Sequence, residues 1–406
     1  MSASRRAGRA PGHESPAPVA VRLERAVVEA ARVMVGADDR RARIAWSRVV
    51  EPGRERAALT HDPLQRQVLE LGPVEAWHRF VAGSLGVSEG LRARVPEVDV
   101  DGELGRLRQL GARTLIPADE EWPDRLVGED APHLLHVRGH GRLDELVERS
   151  VAVVGSRAST GYGEHMAREL GAGAARRGWT VVSGGAYGID VAAHRGALAV
   201  DGPCVVVLPC GIDRVYPVGH RDVVAQVAAT GLVVTEQPTG ATGRRNRFLT
   251  RNRIIAGLSA ATCVVEAGLR SGSLNTAGWA ASMYRPVAAV PGPVTSMSSA
   301  GCHHSIRQGE AVLVTDADEL IGLAAPIGDL VEADPLELAR SAARPADALG
   351  PTERRLHDAL RVGTARTVEQ VAREAMLPVE EVLDHLGVLE LDGWAVRDDG
   401  RWRRGR

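Results

Sequence analysis

The chain has 406 residues, of which 44% are hydrophobic, 25% are charged and only 3% are aromatic. These fractions exclude a fibrous or largely disordered protein and predict two or three domains whose cores are built from aliphatic side chains. The formal net charge is −2 and all 50 cationic residues are Arg. Any surface for nucleic acid must therefore be local.

The N-terminal region is predicted to be a tail followed by helices. Residues 1–20 are rich in Ala, Pro, Arg and Gly, which predicts a disordered tail. Apolar residues at helical spacing predict a helical N-terminal domain over residues 21–103. No apolar run resembles a secretion signal or a membrane span, and the four Cys form no CxxC pair. We therefore expect a cytoplasmic protein without membrane insertion, disulfides or bound metal.

The region 104–324 is predicted to form an α/β domain. After a lead-in that reaches residue 148, short apolar runs alternate with helical segments. Runs that are apolar on both faces are typical of a parallel sheet covered on each side, so we predict a Rossmann-like, doubly wound parallel sheet. The predicted strands are Val151–Val154, Val181–Val182, Val205–Leu208, Leu232–Val234, Cys263–Val265 and Val287–Val290.

The C-terminal region is predicted to be a linker and a winged helix. Residues 325–350 are rich in Ala, Pro and Asp, which predicts a linker. Residues 351–406 predict helices followed by a β-hairpin, as in a winged helix. Residues 353–406 carry ten Arg against eleven Asp and Glu. Because a winged helix that reads DNA is usually basic, we favour a structural or protein-binding role.

The first two loops after predicted strands are rich in small residues. Ligands of open α/β sheets bind beyond the carboxyl ends of the strands. In residues 155–163, small side chains allow backbone N–H groups to approach an anion, and Arg157 adds positive charge. A tight turn between a strand and a helix explains the same residues equally well. In residues 183–190, three glycines occur within five positions. There Asp190 is expected to cap the next helix, and His194 to pack rather than act as a base.

The third loop, residues 237–253, is rich in arginine. Five Arg occur among the eleven residues 243–253, and a solvated charge run is the ordinary explanation. We expect a helix to begin at Ile254, which would place these arginines at its N-terminus. The helix dipole disfavours cations there, so an anionic ligand would resolve the conflict. Phe248 offers a ring on which a base can stack.

The fourth loop, residues 266–277, again joins a strand to a helix through small polar residues. Glu266 is expected to pair with a nearby Arg rather than act as a catalytic carboxylate. Four such loops at one edge of a sheet predict a polyanionic ligand, namely a nucleic-acid backbone. We favour a single strand, because no recognition helix is placed among these loops to enter a groove. The sequence shows no convincing catalytic set and no metal-ligand spacing.

Six motifs then occur in order, and they are Gly155–Arg157, Ser183–Asp190 with His194, Arg251–Ser259, Val265–Ala267, Ser271–Ala277 and Val290–Gly292. In these motifs, over about residues 104–322, the chain resembles the DNA processing protein A family, abbreviated DprA and also called Smf. The C-terminal segment is similar to the winged helix that many members carry.

The resemblance implies a single-stranded DNA-binding protein that is not an enzyme and has no cofactor. It implies that the protein protects single strands, forms a homodimer through the Rossmann-like domain and helps to load the RecA recombinase in natural transformation or recombination. The residues expected at the DNA are Gly155, Ser156, Arg157, Ser159, Gly184, Gly185, Tyr187, Gly188, Asp190, Arg247, Phe248, Arg251, Asn252, Arg253, Ser271, Gly272, Ser273 and Thr276.

Two positions depart from the family's pattern. Tyr187 stands where members often have Lys or Arg, which removes a phosphate contact and leaves a ring that can stack on a base. Phe248-Leu249 replaces the family's Phe-Pro. The alternative function is a nucleotide-processing enzyme of the phosphoribohydrolase type on a related scaffold. Such enzymes carry a Pro-Gly-Gly-x-Gly-Thr-x-x-Glu motif that this sequence lacks, and it also lacks the GxGxxG of a Rossmann dehydrogenase.

Overall fold

A computed structural model of the chain describes residues 23–51, 63–85, 89–128, 130–326, 349–362 and 364–405. The chain divides into two compact units, Met1–Pro326 and Ile327–Arg406. The predicted tail at 1–20 lies outside the described residues, as does most of the predicted linker at 325–350. The predicted domain boundaries therefore stay predictions.

The first unit begins with helices. Two are started by an aspartate, because Asp38 and Asp99 each accept a hydrogen bond from a backbone N–H in the first turn, at 3.1 and 2.8 Å. Trp46, Trp77 and Phe80 pack together at the centre of this region, with ring centroids 4.9 to 5.8 Å apart. The helices are α1 Arg25–Val35, α2 Asp39–Val49, α3 Pro63–Leu71, α4 Pro73–Ala82, α5 Glu89–Arg92 and α6 Val100–Gln109.

A nine-stranded sheet follows, with the spatial order β1-β2-β6-β5-β4-β3-β7-β8-β9. The seven strands from β6 to β9 in this order are parallel, whereas β1 and β2 are antiparallel to their neighbours. The strands are β1 Ala112–Leu115, β2 Leu135–Gly139, β3 Ser150–Val154, β4 Thr180–Ser183, β5 Cys204–Val207, β6 Leu232–Thr235, β7 Ala261–Val264, β8 Val287–Ala289 and β9 Val312–Leu313.

Helices cover both faces of this sheet. In β3, Val151 and Val153 belong to one buried cluster, and Ala152 and Val154 belong to the cluster on the opposite face. The predicted doubly wound α/β fold and its six strands are thus confirmed. Three further strands were not predicted, namely the antiparallel pair β1 and β2 at one edge and β9 at the other. The helices are α7 Leu143–Glu148, α8 Gly161–Arg176, α9 Ile189–Leu198, α10 Arg221–Thr230, α11 Arg245–Leu258, α12 Ser273–Ser282, α13 Ala300–Arg307 and α14 Ala317–Ala324.

The order of the parallel strands reverses at β3. The connection after β3 leads to β4 on one side, whereas β7 returns to pair with β3 on the other side. The loops that leave the carboxyl ends of β3 and β7 therefore diverge and open a crevice, which is the usual ligand site of a doubly wound sheet.

The second unit is a winged helix, as predicted. Thr367 and Gln370 form a capping box at the start of its second helix. An antiparallel hairpin follows the third helix, and Trp402 of that hairpin is buried among the helices. The elements are α15 Pro351–Ala359, α16 Val368–Ala375, α17 Val379–Leu391, β10 Ala395–Asp398 and β11 Arg401–Arg404. Across the described parts of both units, no helix has the length and apolar character needed to span a membrane.

Candidate functional site

A cavity of about 810 Å³ lies at the crevice beside β3 and β7. It is bounded by the loops that follow β3, β4, β5 and β7 and by one face of α11. Eleven of the eighteen predicted site residues line it, and these are Gly155, Ser156, Arg157, Asp190, Phe248, Arg251, Asn252, Ser271, Gly272, Ser273 and Thr276.

The charge of this cavity is strongly positive. Four arginines, Arg157, Arg245, Arg251 and Arg270, share the lining with a single carboxylate, that of Asp190. Arg157, Arg245 and Arg270 are exposed. The N-terminus of α12, at Gly272 and Ser273, also opens into the cavity. Because a helix N-terminus and guanidinium groups both favour negative charge, this arrangement fits an anionic ligand.

Asp190 and Arg251 form the buried part of the lining. Burial raises the pKa of Asp190, and the positive charge of Arg251 opposes that shift. Burial lowers the pKa of Arg251 to about 10, although the attraction of Asp190 acts in the other direction. One Arg251 nitrogen, Nη1, donates to the carbonyl oxygen of Val207 at 2.7 Å. Arg251 therefore supplies charge from beneath the surface.

An aromatic wall forms one side of the cavity. The guanidinium carbon of Arg157 lies 4.3 Å from the centroid of the Phe248 ring. The ring of Tyr216 meets Phe248 edge to face, with centroids 5.3 Å apart. Flat groups of this kind provide stacking surfaces for unpaired bases. The cavity therefore places positive charge that can bind phosphate next to aromatic rings on which bases can stack.

Glu266 holds two of the loops together. Its carboxylate accepts hydrogen bonds from the backbone nitrogen of Thr160 at 2.9 Å and from the Thr160 hydroxyl at 2.6 Å. The backbone nitrogen of Ser156 also donates to the Glu266 carbonyl oxygen at 2.8 Å. The prediction that Glu266 pairs with an arginine was wrong, because the N-terminus of α8 supplies the donors that satisfy this buried carboxylate.

The glycine-rich loop after β4 is shaped by contacts within the protein. A Cβ at Gly184 would lie 1.6 Å from Arg251 Nη1, and one at Gly188 would lie 2.3 Å from the carbonyl oxygen of Ser156. Gly188, with φ of 76°, is the N-cap of α9. The expected capping role of Asp190 was therefore wrong. Asp190 lies within the first turn, and its carboxylate instead accepts a bond from the backbone nitrogen of Ala186 at 3.4 Å.

The expectation of a helix beginning at Ile254 was also wrong. Helix α11 begins at Arg245, so Arg251 and Arg253 lie inside it rather than at its N-terminus. Arg253 is buried and donates from Nη2 to Glu236 at 2.6 Å. Arg247 is bound to Glu51, with Nη2 2.9 Å from Oε2. The N-terminus of α11 is instead formed by Arg244, Arg245 and Arg247, with no acidic residue in the first turn, so the expected conflict with the helix dipole lies there. Of these three arginines, Arg247 is neutralised by Glu51.

The remaining predicted site residues lie behind or beside the cavity. The side chains of Arg247 and Arg253 form ion pairs with Glu51 and Glu236, respectively. Tyr187 is about half exposed and packs edge to face on His220, with centroids 4.7 Å apart. The seven predicted residues outside the lining are Ser159, Gly184, Gly185, Tyr187, Gly188, Arg247 and Arg253.

Ten lining residues were missing from the predicted set, and four of them carry polar or charged side chains, namely Tyr216, Arg245, Arg270 and Asn275. Arg245 and Arg270 are exposed cations in the third and fourth loops that the sequence predicts at the site. Their positions next to predicted site residues could have identified them. Asn275 shares a hydrogen bond with Asn252 at 3.3 Å. Tyr216 comes from the loop after β5, which leaves the same edge of the sheet as the four predicted loops.

His194 and the cysteines are packing residues. His194 is fully buried, and burial lowers its pKa to about 4. The four cysteines are buried and free. Within the described residues, no group of three or more His, Cys, Asp or Glu side chains is arranged to hold a metal ion.

Comparison with known proteins identifies relatives of both units. The family model described as DNA recombination-mediator protein A matches residues 113–324, and the model of the DprA winged helix domain matches residues 340–401. A DNA processing protein DprA of Mycobacterium tuberculosis is 44% identical over 353 residues, covering 82% of this chain and 88% of the relative. The Smf protein of Escherichia coli is 38% identical over 306 residues, covering 71% and 77%.

A solved structure supports the same relationship. The crystal structure of DprA from Streptococcus pneumoniae is similar to this chain with a TM-score of 0.57 and 28% sequence identity. The similarity covers 74% of this chain and 98% of the pneumococcal one.

Proposed function

The chain belongs to the DNA recombination-mediator protein A family of DNA-processing proteins, and from this premise we propose that it binds single-stranded DNA in the arginine-lined cavity. In this proposal the protein acts in the cytoplasm without catalysing a reaction. It protects the bound strand and helps to load the RecA recombinase in natural transformation or recombination.

The observation that carries the proposal is the composition of the cavity lining. Four arginines face one carboxylate in a crevice that also contains the Phe248 and Tyr216 rings. Guanidinium groups neutralise the phosphates of a nucleic-acid backbone, and each neutralised phosphate releases counterions. The proposal thus accounts for both kinds of lining group, which a small inorganic anion would not.

A single strand fits the cavity better than a duplex. Stacking on Phe248 requires a base whose face is exposed, and in a duplex the faces are covered by neighbouring pairs. The cavity walls are loops and the side of α11. Neither is a helix that projects from the surface into a major groove.

Fluorescence anisotropy with labelled oligothymidine tests the proposal. We expect binding to the parent protein that weakens steeply as salt rises, and weaker binding to a duplex of the same length. Arg157→Ala and Arg270→Ala should each lower the affinity. Arg176→Ala is the matched control, because Arg176 is exposed on α8 outside the cavity. The proposal fails if the two cavity variants bind the single strand as tightly as the parent and the control.

The proposed homodimer and RecA interaction need their own measurements. We expect the parent protein to sediment as a dimer at micromolar concentration. We also expect it to accelerate RecA filament assembly on single strands that are coated with a single-strand-binding protein. Membership of the family is the support for both the homodimer and the RecA interaction. A monomer, or unchanged RecA kinetics, would remove that part of the proposal and leave DNA binding in place.

No feature of the site favours the alternative nucleotide-processing enzyme. Asp190 is the single carboxylate in the lining and is buried beside Arg251. The carboxylate of the nearby Glu266 accepts hydrogen bonds from the backbone nitrogen and the hydroxyl of Thr160. Release of free base from nucleoside monophosphates would revive this alternative.

A further inference from the structure

The third helix of the winged helix, α17, has two contrasting faces. One face carries Val382, Leu386 and Leu389, which are buried in the core of the second unit. This face accounts for the helix's place in the fold, as an amphipathic helix requires. The fold itself needs no further apolar side chains on the opposite face.

The opposite face nevertheless carries an apolar ridge. Val379, Leu383, Gly387 and Leu391 follow one another at intervals of four residues, and we call them the α17 ridge. Leu383 is 51% exposed and Leu391 is 89% exposed. Gly387 leaves a notch between them, because a Cβ at that position would meet no atom within 4 Å. Residues spaced by four form the ridge that packs into the groove of another helix.

Carboxylates flank this ridge, and the one basic side chain of the helix, His385, lies 2.8 Å from Glu353. Val379–Leu391 contains Glu380, Glu381, Asp384 and Glu390 but no Arg. At 100° per residue, Glu380 and Asp384 lie along one side of the ridge and Glu390 lies along the other. In the described part of this unit, ion pairs are formed by other carboxylates, namely Glu353, Asp358 and Glu374. The four carboxylates of α17 thus keep their charge available.

These charges exclude the role that a third helix has in a DNA-reading winged helix. A recognition helix lies in the major groove between two rows of phosphates. Four carboxylates on α17 would be repelled there, with no arginine on the helix to compensate. The same repulsion excludes an anionic lipid surface.

We propose that the α17 ridge is a docking surface for a cationic amphipathic helix of a partner protein. Apolar side chains of that helix would cover Leu383 and Leu391, and its Lys or Arg residues would meet Glu380, Asp384 and Glu390. A thirteen-residue helix is about 20 Å long, so the interface is small and the association is transient. A second copy of this chain is a poor occupant in a symmetric arrangement, because the same carboxylates would face each other.

The full-length protein and a synthetic probe test this proposal. The probe is a fluorescein-labelled helical peptide of Leu and Lys with its leucines on one face, and a peptide of the same composition in scrambled order is the control probe. We expect micromolar binding of the amphipathic peptide only. The double variant Leu383→Ser/Leu391→Ser should weaken it at least about tenfold, which corresponds to about 1.4 kcal/mol. Glu380→Gln/Asp384→Gln should also weaken it and flatten its salt dependence.

A matched variant and the single-strand assay serve as controls. Val362→Ser alters an exposed apolar residue of the same unit outside α17 and should leave peptide binding unchanged. The double serine variant should keep the parent's melting temperature and its affinity for oligothymidine, so this test is independent of the proposed DNA binding. Three results would overturn the proposal. The first is that the parent protein does not bind the amphipathic peptide, and the second is that it binds the scrambled peptide equally well. The third is that the double serine variant loses binding to duplex DNA or loses self-association.

Discussion

Arg247 of α11 and Glu51, which follows α2, form a two-point ion pair although they are 196 residues apart in the chain. The Arg247 side chain is only 10% exposed. A second buried group, Glu103 of α6, accepts hydrogen bonds from Thr239 in the loop that precedes α11. The N-terminal helices therefore brace the element that presents Arg245, Phe248 and Arg251 to the cavity.

This bracing predicts that Glu51→Gln weakens DNA binding without touching the cavity. The substitution leaves a largely buried guanidinium without its counter-charge, which costs about 1–3 kcal/mol of folding free energy. Part of this cost should appear as displacement of the start of α11 and a roughly fivefold lower affinity for oligothymidine, or about 1 kcal/mol. Thermal unfolding and anisotropy measure the two effects. Glu75→Gln, which breaks an exposed pair with Arg79, is the control and should change neither.

Gly188→Ala should both destabilise the protein and disturb the cavity. Gly188 has φ of 76°, and a Cβ there would lie 2.3 Å from the carbonyl oxygen of Ser156. Because that atom belongs to the backbone, the two loops must separate, and we expect a loss of about 1–3 kcal/mol in the free energy of unfolding. Gly161→Ala is the control, since a Cβ there meets no atom within 4 Å. Urea denaturation that gave equal midpoints for the two variants would contradict this account.

The stability of the first unit should fall with acid because of His194. Burial, aided by the nearby charge of Arg251, lowers the pKa of His194 to about 4 from 6.5. Between these values the unfolded chain binds a proton that the folded chain does not, so stability falls as the pH drops from 6.5 towards 4. The slope is at most about 1.4 kcal/mol per pH unit from this group.

Denaturation of a His194→Gln variant across that range checks this prediction. The difference in unfolding free energy between parent and variant should increase from pH 4 to pH 6.5 and then level off. His304→Gln, which removes an exposed histidine, is the control substitution. A parent profile that is unaltered by loss of His194 would show that other groups control acid unfolding.

Local patterns were sufficient to predict the central sheet but not its edges. The β3 to β8 strands are apolar on both faces, and that pattern appears directly in the sequence. The antiparallel pairing of β2 with β6 joins His136 to Thr235 across about 100 residues, and no local pattern specifies such a partner. Strand β9 has two residues, both exposed, so it carries no apolar signal at all.

The same distinction applies to the site. Small residues at strand ends identified the loops, and eleven of the eighteen predicted residues line the cavity. The sequence could not show that Glu51 and Glu236 neutralise Arg247 and Arg253, because those carboxylates come from distant elements. An arginine run therefore predicted a larger free charge than the fold leaves available.

Stacking and charge in the cavity can be separated with two substitutions. Phe248→Leu removes the ring but no charge, and we expect a loss of about 1–3 kcal/mol in binding to oligothymidine with an unchanged salt slope. Arg157→Ala removes a phosphate contact, so the slope of log affinity against log salt should fall by about one. Because Arg157 lies over Phe248 at 4.3 Å, the double variant should lose less than the sum of the two single losses. Titrations at several salt concentrations measure all three quantities, and a lower salt slope for Phe248→Leu would mean that the ring orients Arg157 rather than stacking on a base.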